Sequence, residues 1–330
     1  MAPKAPHKTE LARRSALRRR PAIGIAQTMH NPYTAHARYA RPAMARPELW
    51  RVALVLLACE AAFNLTPTLI EALGSARLGV AVWGEGRTAF SAVVQLGSFA
   101  LTAAVLVSLV RRVHGRDLGS LLGDAARLRG DLWRVFWAVA AVIAVQEVLF
   151  LWLDWDFVGE VRALPVWLLW LVPGMLALLV QVATEELLFR GYLQQQLAAR
   201  FHSPWLWMGV PSVLFGMAHL VNGIDAADGV LWAIWATALG LACADLTART
   251  GSLGAAIGLH LANNVFAVFW VAVQGWPMSG LALFLYPWED PETLALPVAA
   301  LLSPWGLMQV VLSLVSVLVL WLAARVALRA

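Results

Sequence analysis

Long apolar stretches recur along the chain, and their length is the feature that most limits how it can fold. A helix needs about 20 mainly apolar residues to cross the hydrocarbon core of a bilayer. Eight stretches of roughly this length lie at residues 50–70, 88–110, 132–153, 166–190, 204–221, 229–248, 252–275 and 304–325. Hydrophobic residues make up 60% of the chain, a share that polytopic membrane proteins commonly reach. The sequence therefore predicts an all-α membrane protein with about eight transmembrane helices.

Charged residues between these stretches predict the orientation of the helices. Lys and Arg are enriched in cytoplasmic loops. The first 51 residues hold eleven Lys or Arg, and the segment 111–134 is also basic, whereas the loops near residues 154–160, 225–228 and 289–292 are acidic. With eight spans, every basic segment falls on one side of the membrane. We therefore expect both termini to lie in the cytoplasm.

Composition divides the chain into a tail and a membrane domain. Residues 1–49 are basic and lack the apolar core of a secretory signal, so we expect an uncleaved, disordered cytoplasmic tail. Contact with anionic lipid headgroups is an alternative role for this tail. Residues 50–330 form the membrane domain, because no later polar stretch is long enough for a soluble core. Cys59 and Cys243 lie in apolar runs and are predicted to pack in the core.

Charged side chains inside the apolar stretches are the strongest functional signal, because ionised groups in hydrocarbon are costly and mark functional sites. On the fourth stretch Glu186 and Arg190 are four residues apart and share a helix face. Glu185 lies about 100° around the same helix and lacks that partner. Of the seven histidines, only His219 and His260 lie within apolar stretches. These residues are the candidates for a site inside the membrane.

Each of these two histidines has a companion one helical turn away. Phe215 precedes His219 by four residues, and Asn264 follows His260 by four. A single histidine in a membrane helix is as often an interhelical hydrogen bonder as a catalytic group, and the Glu186–Arg190 pair alone favours a structural role. The three pairs together indicate a catalytic site.

The ordered set Glu185-Glu186-x-x-x-Arg190, Phe215-x-x-x-His219 and His260-x-x-x-Asn264 resembles the three motifs of the CPBP family. This family comprises the CAAX-processing and bacteriocin-processing intramembrane endopeptidases, which include the Ras-converting CAAX endopeptidase. The resemblance covers about residues 165–275, which we expect to form the catalytic core. It implies a glutamate-dependent protease that needs no metal or other cofactor and whose site opens to the cytosol.

The resemblance also implies a role for each motif residue. Glu185 is the base that takes a proton from the attacking water, and His219 orients and activates that water. His260 and Asn264 donate hydrogen bonds to the oxyanion of the tetrahedral intermediate.

The remaining motif residues support this set. By the resemblance, Arg190 holds Glu186, which supports the site or assists directly, and Phe215 is a supporting residue. Asn263 also faces His260, but the family spacing favours Asn264. Two Glu, two His and an Asn could instead ligate zinc, although the chain has no His-Glu-x-x-His motif.

The expected partners are the lipid bilayer and a peptide or protein substrate, with or without a lipid modification. Nothing in the sequence indicates nucleic acid. High Ala, Arg and Trp usage suggests a bacterial plasma membrane, where a prenylated substrate would be unexpected. A binding, immunity or assembly factor of the same fold without proteolysis is the alternative function. A transporter with a central carboxylate has less support, because no internal repeat is visible.

Three further expectations concern depth and packing. Helix rise counted from the start of each span places Glu185 and His219 near opposite membrane surfaces, so we expect the fourth helix to restart at Pro173 and the turn at 201–203 to stand off the inner face. Residues with small side chains, four apart, predict close helix contacts at Ala236, Gly240 and Ala244, and at Gly254 and Gly258. The acids Glu60, Glu147 and Asp245 are predicted to have packing or supporting roles.

Overall fold

The computed structural model describes residues 32–78, 82–290 and 295–329, and this part of the chain is almost entirely helical. The α-helices are α1 Thr34–Ala40, α2 Leu49–Leu78, α3 Ala89–Leu109, α4 Leu118–Leu122, α5 Ala125–Leu153, α6 Leu164–Glu186, α7 Val210–Ala218, α8 Ala226–Thr250, α9 Gly254–Phe269 and α10 Pro304–Leu328. π-helical segments extend α3 as Val110–His114 and α6 as Leu187–Gln194, and Trp205–Gly209 precedes α7. A last α-helical turn, Gln195–Ala198, ends the α6 rod.

Six helices in the described ranges are long and apolar enough to cross a membrane, namely α2, α3, α5, α6, α8 and α10 with their extensions. The protein is therefore a polytopic all-α integral membrane protein, as the sequence predicts. All eight predicted stretches contain helix, but the two that carry the histidine motifs are short. Helix α9 has 16 residues, which gives about 24 Å against the roughly 30 Å of a hydrocarbon core.

A small sheet replaces the end of one predicted span. The stretch 252–275 is helical only to Phe269, and its residues Val271–Val273 form strand β2. In chain order β1 is Glu160–Val161 and β3 is Phe284–Tyr286; β3 lies in the middle, antiparallel to β1 and parallel to β2. The sheet therefore ties the α5–α6 loop to the segment after α9, at the end of the bundle that carries acidic loops.

Helix α9 packs closely on α5, and one glycine makes this approach possible. A Cβ on Gly258 would overlap the carbonyl oxygen of Leu132 and lie 3.1 Å from the backbone nitrogen of Phe136. The contact agrees with the close packing that the Gly254 and Gly258 spacing predicts. Because α9 carries His260 and Asn264, its close packing on α5 fixes the position of these two side chains along α5.

We expect Gly258→Ala to destabilise the protein by about 1–3 kcal/mol, because the added methyl group overlaps a backbone oxygen that cannot rotate away. Gly130→Ala on α5 is the matched control, since a Cβ there has no heavy atom within 4 Å. Alanine at an open helical position is neutral or stabilises by up to about 1 kcal/mol. Thermal unfolding in detergent measures both, and equal midpoints for the two variants would contradict the close contact.

Part of the tail for which the sequence predicts disorder is helical. Helix α1 and the 3-10 turn Arg41–Ala45 bury His36, Tyr39, Ala40 and Ala43. These positions follow the i, i+3, i+4, i+7 spacing of an amphipathic helix, and α1 packs against α8. The surrounding arginines conceal this stripe in the sequence, which is why the sequence does not predict helix at 34–45. Residues 1–31 lie outside the described ranges.

Asp245 joins the N-terminal segment to two long helices. Its carboxylate accepts hydrogen bonds from the Tyr33 hydroxyl at 2.8 Å and the Trp321 indole nitrogen at 2.9 Å. It also pairs with Arg249 one turn later on α8, at 2.8 Å. Asp245 therefore has the supporting role predicted for it, holding the segment before α1 and helix α10 against α8.

Docking of α1 is expected to weaken in acid because of His36. This side chain is 4% exposed and stacks on Trp207 with ring centroids 4.2 Å apart. Burial lowers the pKa of His36 from 6.5 to about 4, so the docked state requires the neutral ring. Its stabilisation is therefore complete above pH 6.5 and is lost as the pH falls toward 4, by about tenfold in the docking equilibrium per pH unit.

A nitroxide on Arg38→Cys, at an exposed position of α1, reports this docking by electron paramagnetic resonance. Mobility of the label should rise between pH 7 and pH 4.5 and stay constant when His36→Phe is added. An identical rise in both proteins would show that another group controls the docking.

Candidate functional site

The helical hairpin formed by α6 and α7 brings Glu185 and His219 to one level. Helix α6 and its extensions form one rod from Leu164 to Ala198 over 35 residues, with Pro173 inside α6, so the predicted restart at this proline is wrong. Glu185 lies about 20 Å before the end of this rod and His219 about 22 Å after the start of the next helical segment at Pro204. Glu185 and His219 therefore lie at similar distances from the turn that joins the two helices, and this places them at one level.

A fully buried ion pair lies at the bottom of the site. Glu186 and Arg190 are both 0% exposed, and Arg190 Nη1 donates to Glu186 Oε1 at 3.0 Å. The same carboxylate oxygen lies 2.8 Å from His260 Nδ1, which donates to it. Helices α6 and α9 are thus joined by a carboxylate that holds a guanidinium and an imidazole, and this contact fixes the orientation of the His260 ring.

Glu185 has a different environment from its neighbour. Its side chain is 15% exposed, and its Oε2 lies 3.6 Å from His260 Nε2. This oxygen accepts no hydrogen bond from any residue in the described ranges. One glutamate is therefore fully buried and paired with an arginine, whereas the adjacent one is partly exposed and lies beside a histidine.

Amide side chains surround the outer edge of His260. Asn264 Nδ2 lies 3.3 Å from His260 Nε2 and also 3.3 Å from Gln181 Oε1, to which it donates. Asn263 Nδ2 donates to Asn264 Oδ1 at 3.0 Å. Asn264 is therefore the amide that contacts the histidine, and its two amide neighbours fix which atom points inward.

Phe215 lies at the centre of the aromatic contacts. Its buried ring is 4.5 Å from the His219 ring and 5.6 Å from the His260 ring, measured between centroids. The guanidinium carbon of Arg190 lies 4.6 Å from the same ring centroid. His219 follows directly after α7 and its Nδ1 donates to the Phe215 carbonyl at 2.8 Å. In the neutral ring this hydrogen bond leaves Nε2 as an acceptor.

The structure thus joins all seven motif residues of the sequence in one cluster: Glu185, Glu186, Arg190, Phe215, His219, His260 and Asn264. Sequence reasoning missed Gln181, which binds Asn264. It lies four residues before Glu185 on an apolar helix, so the spacing argument that paired Glu186 with Arg190 could have found it. Among the described residues, no group of three or more His, Cys, Asp or Glu is arranged to hold a metal ion.

A cavity of about 300 Å³ lies beside the cluster, between α5, α8, α9 and α10. Polar side chains from otherwise apolar helices contribute to its lining, including Gln146, Glu147, Asn263 and Ser316. Asn263 connects the cavity to Asn264 through its hydrogen bond. Polar lining within an apolar bundle favours a polar occupant such as water.

Comparison with known proteins identifies the same region. Residues 164–266 match the family model described as Type II CAAX prenyl endopeptidase Rce1-like. A stretch of 115 residues, 34% of this chain, is 30% identical to the uncharacterized protein YyaK of Bacillus subtilis (strain 168) and covers 38% of that protein. None of the solved structures matches the chain significantly. The family match extends from the start of α6 into α9 and contains all seven motif residues.

Proposed function

The segment 164–266 belongs to the Rce1-like family, and from this premise we propose that the protein is an intramembrane endopeptidase that hydrolyses a peptide bond with water activated by Glu185. The observation that carries this proposal is the contrast between the two adjacent glutamates. Glu186 is fully buried in an ion pair with Arg190, whereas Glu185 is 15% exposed and its nearest charged neighbour is His260, at 3.6 Å. Two carboxylates in such different environments are suited to different roles.

Glu185 takes a proton from the attacking water in the first step. Its Oε2 accepts no hydrogen bond from the described residues and is therefore free to accept one from a water, as a general base requires. His219 and His260 both contact the Phe215 ring, and His260 lies beside Glu185. The Nε2 of His219 is available to accept the second hydrogen of that water. The water oxygen then forms a bond to the carbonyl carbon, and the carbonyl oxygen becomes an oxyanion.

His260 and Asn264 stabilise this oxyanion. His260 Nε2, where it carries a proton, and the Asn264 amide donate into the same space, because their nitrogens lie 3.3 Å apart. When the carbon–nitrogen bond breaks, protonated Glu185 returns its proton to the leaving amine.

The substrate class follows from the location of the site. Family resemblance supports a CAAX-type or related peptide or membrane-protein substrate, with or without a lipidated cysteine. The basic segments on one side of the membrane support cytoplasmic termini and cleavage near the cytosolic face. In a bacterium this is the inner membrane, where a substrate that carries no prenyl group is expected.

Cleavage of quenched fluorescent peptides by the purified protein in detergent tests the proposal. The peptides carry or lack a lipidated C-terminal cysteine, and each reaction is run with and without a chelator. Hydrolysis that survives the chelator supports a metal-free site, and the preferred peptide defines the substrate class. Loss of activity with the chelator would indicate a metal-dependent site. No cleavage by folded protein would favour a binding or assembly role.

The two adjacent asparagines are expected to differ in their effect on catalysis. Asn264→Ala removes an oxyanion donor and should lower kcat by about 10²–10³-fold with little change in KM. Asn263→Ala removes only the group that orients Asn264, so its loss should stay below about tenfold. Steady-state kinetics on one peptide measures both, and the reverse order would assign the donor to Asn263.

A further inference from the structure

A second polar cavity, of about 350 Å³, lies away from the catalytic cluster. Its lining includes Arg111, His114 and Arg116, at and after the π-helical end of α3. Arg116 contacts Gln195 at the far end of the α6 rod, about 14 Å along that helix from Glu186. We refer to this cavity as the basic pocket; it has no part in the proposed hydrolysis and does not depend on it.

The central feature of the basic pocket is a buried guanidinium without an acidic partner. Arg116 is 6% exposed and donates to the neutral carbonyl oxygens of Gln195 and Gln196. Its Nε has no hydrogen-bond partner, and no carboxylate in the described ranges lies within ion-pair distance of it. Burial lowers the pKa of Arg116. A buried positive charge of this kind is costly unless an anion compensates it.

Neighbouring charges increase the positive potential of the basic pocket. Arg111 lines it, and the Arg46 guanidinium lies beside Gly115, within 4 Å of the position a Cβ would take. The one carboxylate in the lining, Asp117, accepts from the Ser120 backbone nitrogen at 2.9 Å to cap α4. Two arginines thus line the pocket with a third beside it, against one acid whose Oδ1 is already bonded. A phosphate suits such a set because guanidinium groups bind its oxygens bidentately.

The surroundings of the basic pocket indicate where this phosphate comes from. Exposed apolar side chains lie near it: Met44 and Leu118 are on the lining segments, and Trp50 is on α2, where the adjacent Arg51 donates to the Val113 carbonyl. Tryptophan is enriched at the headgroup level of membranes. We propose that the basic pocket binds a phosphate group, presented by the headgroup of an anionic phospholipid at the cytoplasmic surface.

Ligand-induced stabilisation of the full chain in detergent tests this proposal. The thermal unfolding midpoint is measured against short-chain phosphatidylglycerol, inorganic phosphate, and short-chain phosphatidylcholine as the zwitterionic control, at constant ionic strength. Saturable stabilisation by phosphatidylglycerol alone supports a lipid headgroup. Saturation by inorganic phosphate as well supports a phosphate site that also accepts the free anion. Equal stabilisation by phosphatidylcholine, or none by either phosphate ligand, would overturn the proposal.

Two exposed arginines on one π-helical turn provide matched variants. Arg111 lines the pocket and the adjacent Arg112 does not. Arg111→Gln should raise the half-saturating concentration about tenfold, the usual effect of losing a charge-assisted hydrogen bond. Arg112→Gln should change it by less than about twofold. Equal shifts in both variants would show that general surface charge controls the affinity, and would overturn the proposal of a phosphate site in the basic pocket.

Discussion

Arg190→Met is expected to destabilise the protein by about 3–5 kcal/mol, because it leaves Glu186 buried with an uncompensated charge. Both side chains are fully buried, and Glu186 Oε1 depends on the guanidinium at 3.0 Å. The variant should accumulate poorly in membranes and unfold at a lower temperature in detergent. Loss of the contact between Arg190 and the Phe215 ring adds to the effect.

Arg87→Met is the matched control for this substitution. Arg87 pairs with Glu85 at 2.7 Å, but both side chains are more than half exposed, and exposed ion pairs contribute about 0–1 kcal/mol. Adding Glu186→Gln to Arg190→Met removes both buried charges and should restore part of the stability. If Arg190→Met were as stable as Arg87→Met, the buried ion pair would not contribute to the stability of the site.

Glu185→Gln is expected to lower kcat about 10³-fold while the protein folds normally, since general-base catalysis contributes about 10²–10⁴-fold. The substitution preserves shape, and the Glu185 Oε2 makes no hydrogen bond that the fold requires. KM should change little, because the carboxylate acts on water rather than on bound peptide. Kinetics on one peptide measures the effect.

Glu60→Gln is the control for a glutamate elsewhere in the membrane domain. Glu60 is exposed on α2 and accepts from Asn64 at 2.7 Å. Its replacement should leave kcat and KM unchanged. A similar loss of activity in both variants would indicate a general effect of charge removal rather than a base at Glu185.

The residues of the site could be predicted from the sequence because polar groups stand out in apolar helices. Glu185, Glu186 and Arg190 interrupt an apolar run, and the i, i+4 pairs of His219 and His260 mark single helix faces. Their mutual distances could not be predicted, because they depend on how the helices pack. Glu185 and His219 were predicted at different depths because α6 was counted from its start, and not from the turn after Ala198 that it shares with α7.

Other errors have local causes. Helix α1 was missed because its buried stripe of His36, Tyr39, Ala40 and Ala43 lies among arginines. The residues after Phe269 are apolar, and this pattern is compatible with either a helix or a strand. Only pairing with the distant segment Phe284–Tyr286 determines that they form a strand. Hydropathy therefore predicts which segments are apolar, but contacts between distant segments decide where α9 ends.

The most direct test of the central claim compares one peptide, cleaved by wild-type protein and by Glu185→Gln, at equal concentrations of folded protein with chelator present. If Glu185 is the catalytic base, the wild type hydrolyses the peptide at a rate that the chelator does not change, and the variant is slower by about 10³-fold. Cleavage by the variant within about threefold of the wild-type rate would contradict the assignment of Glu185 as the base.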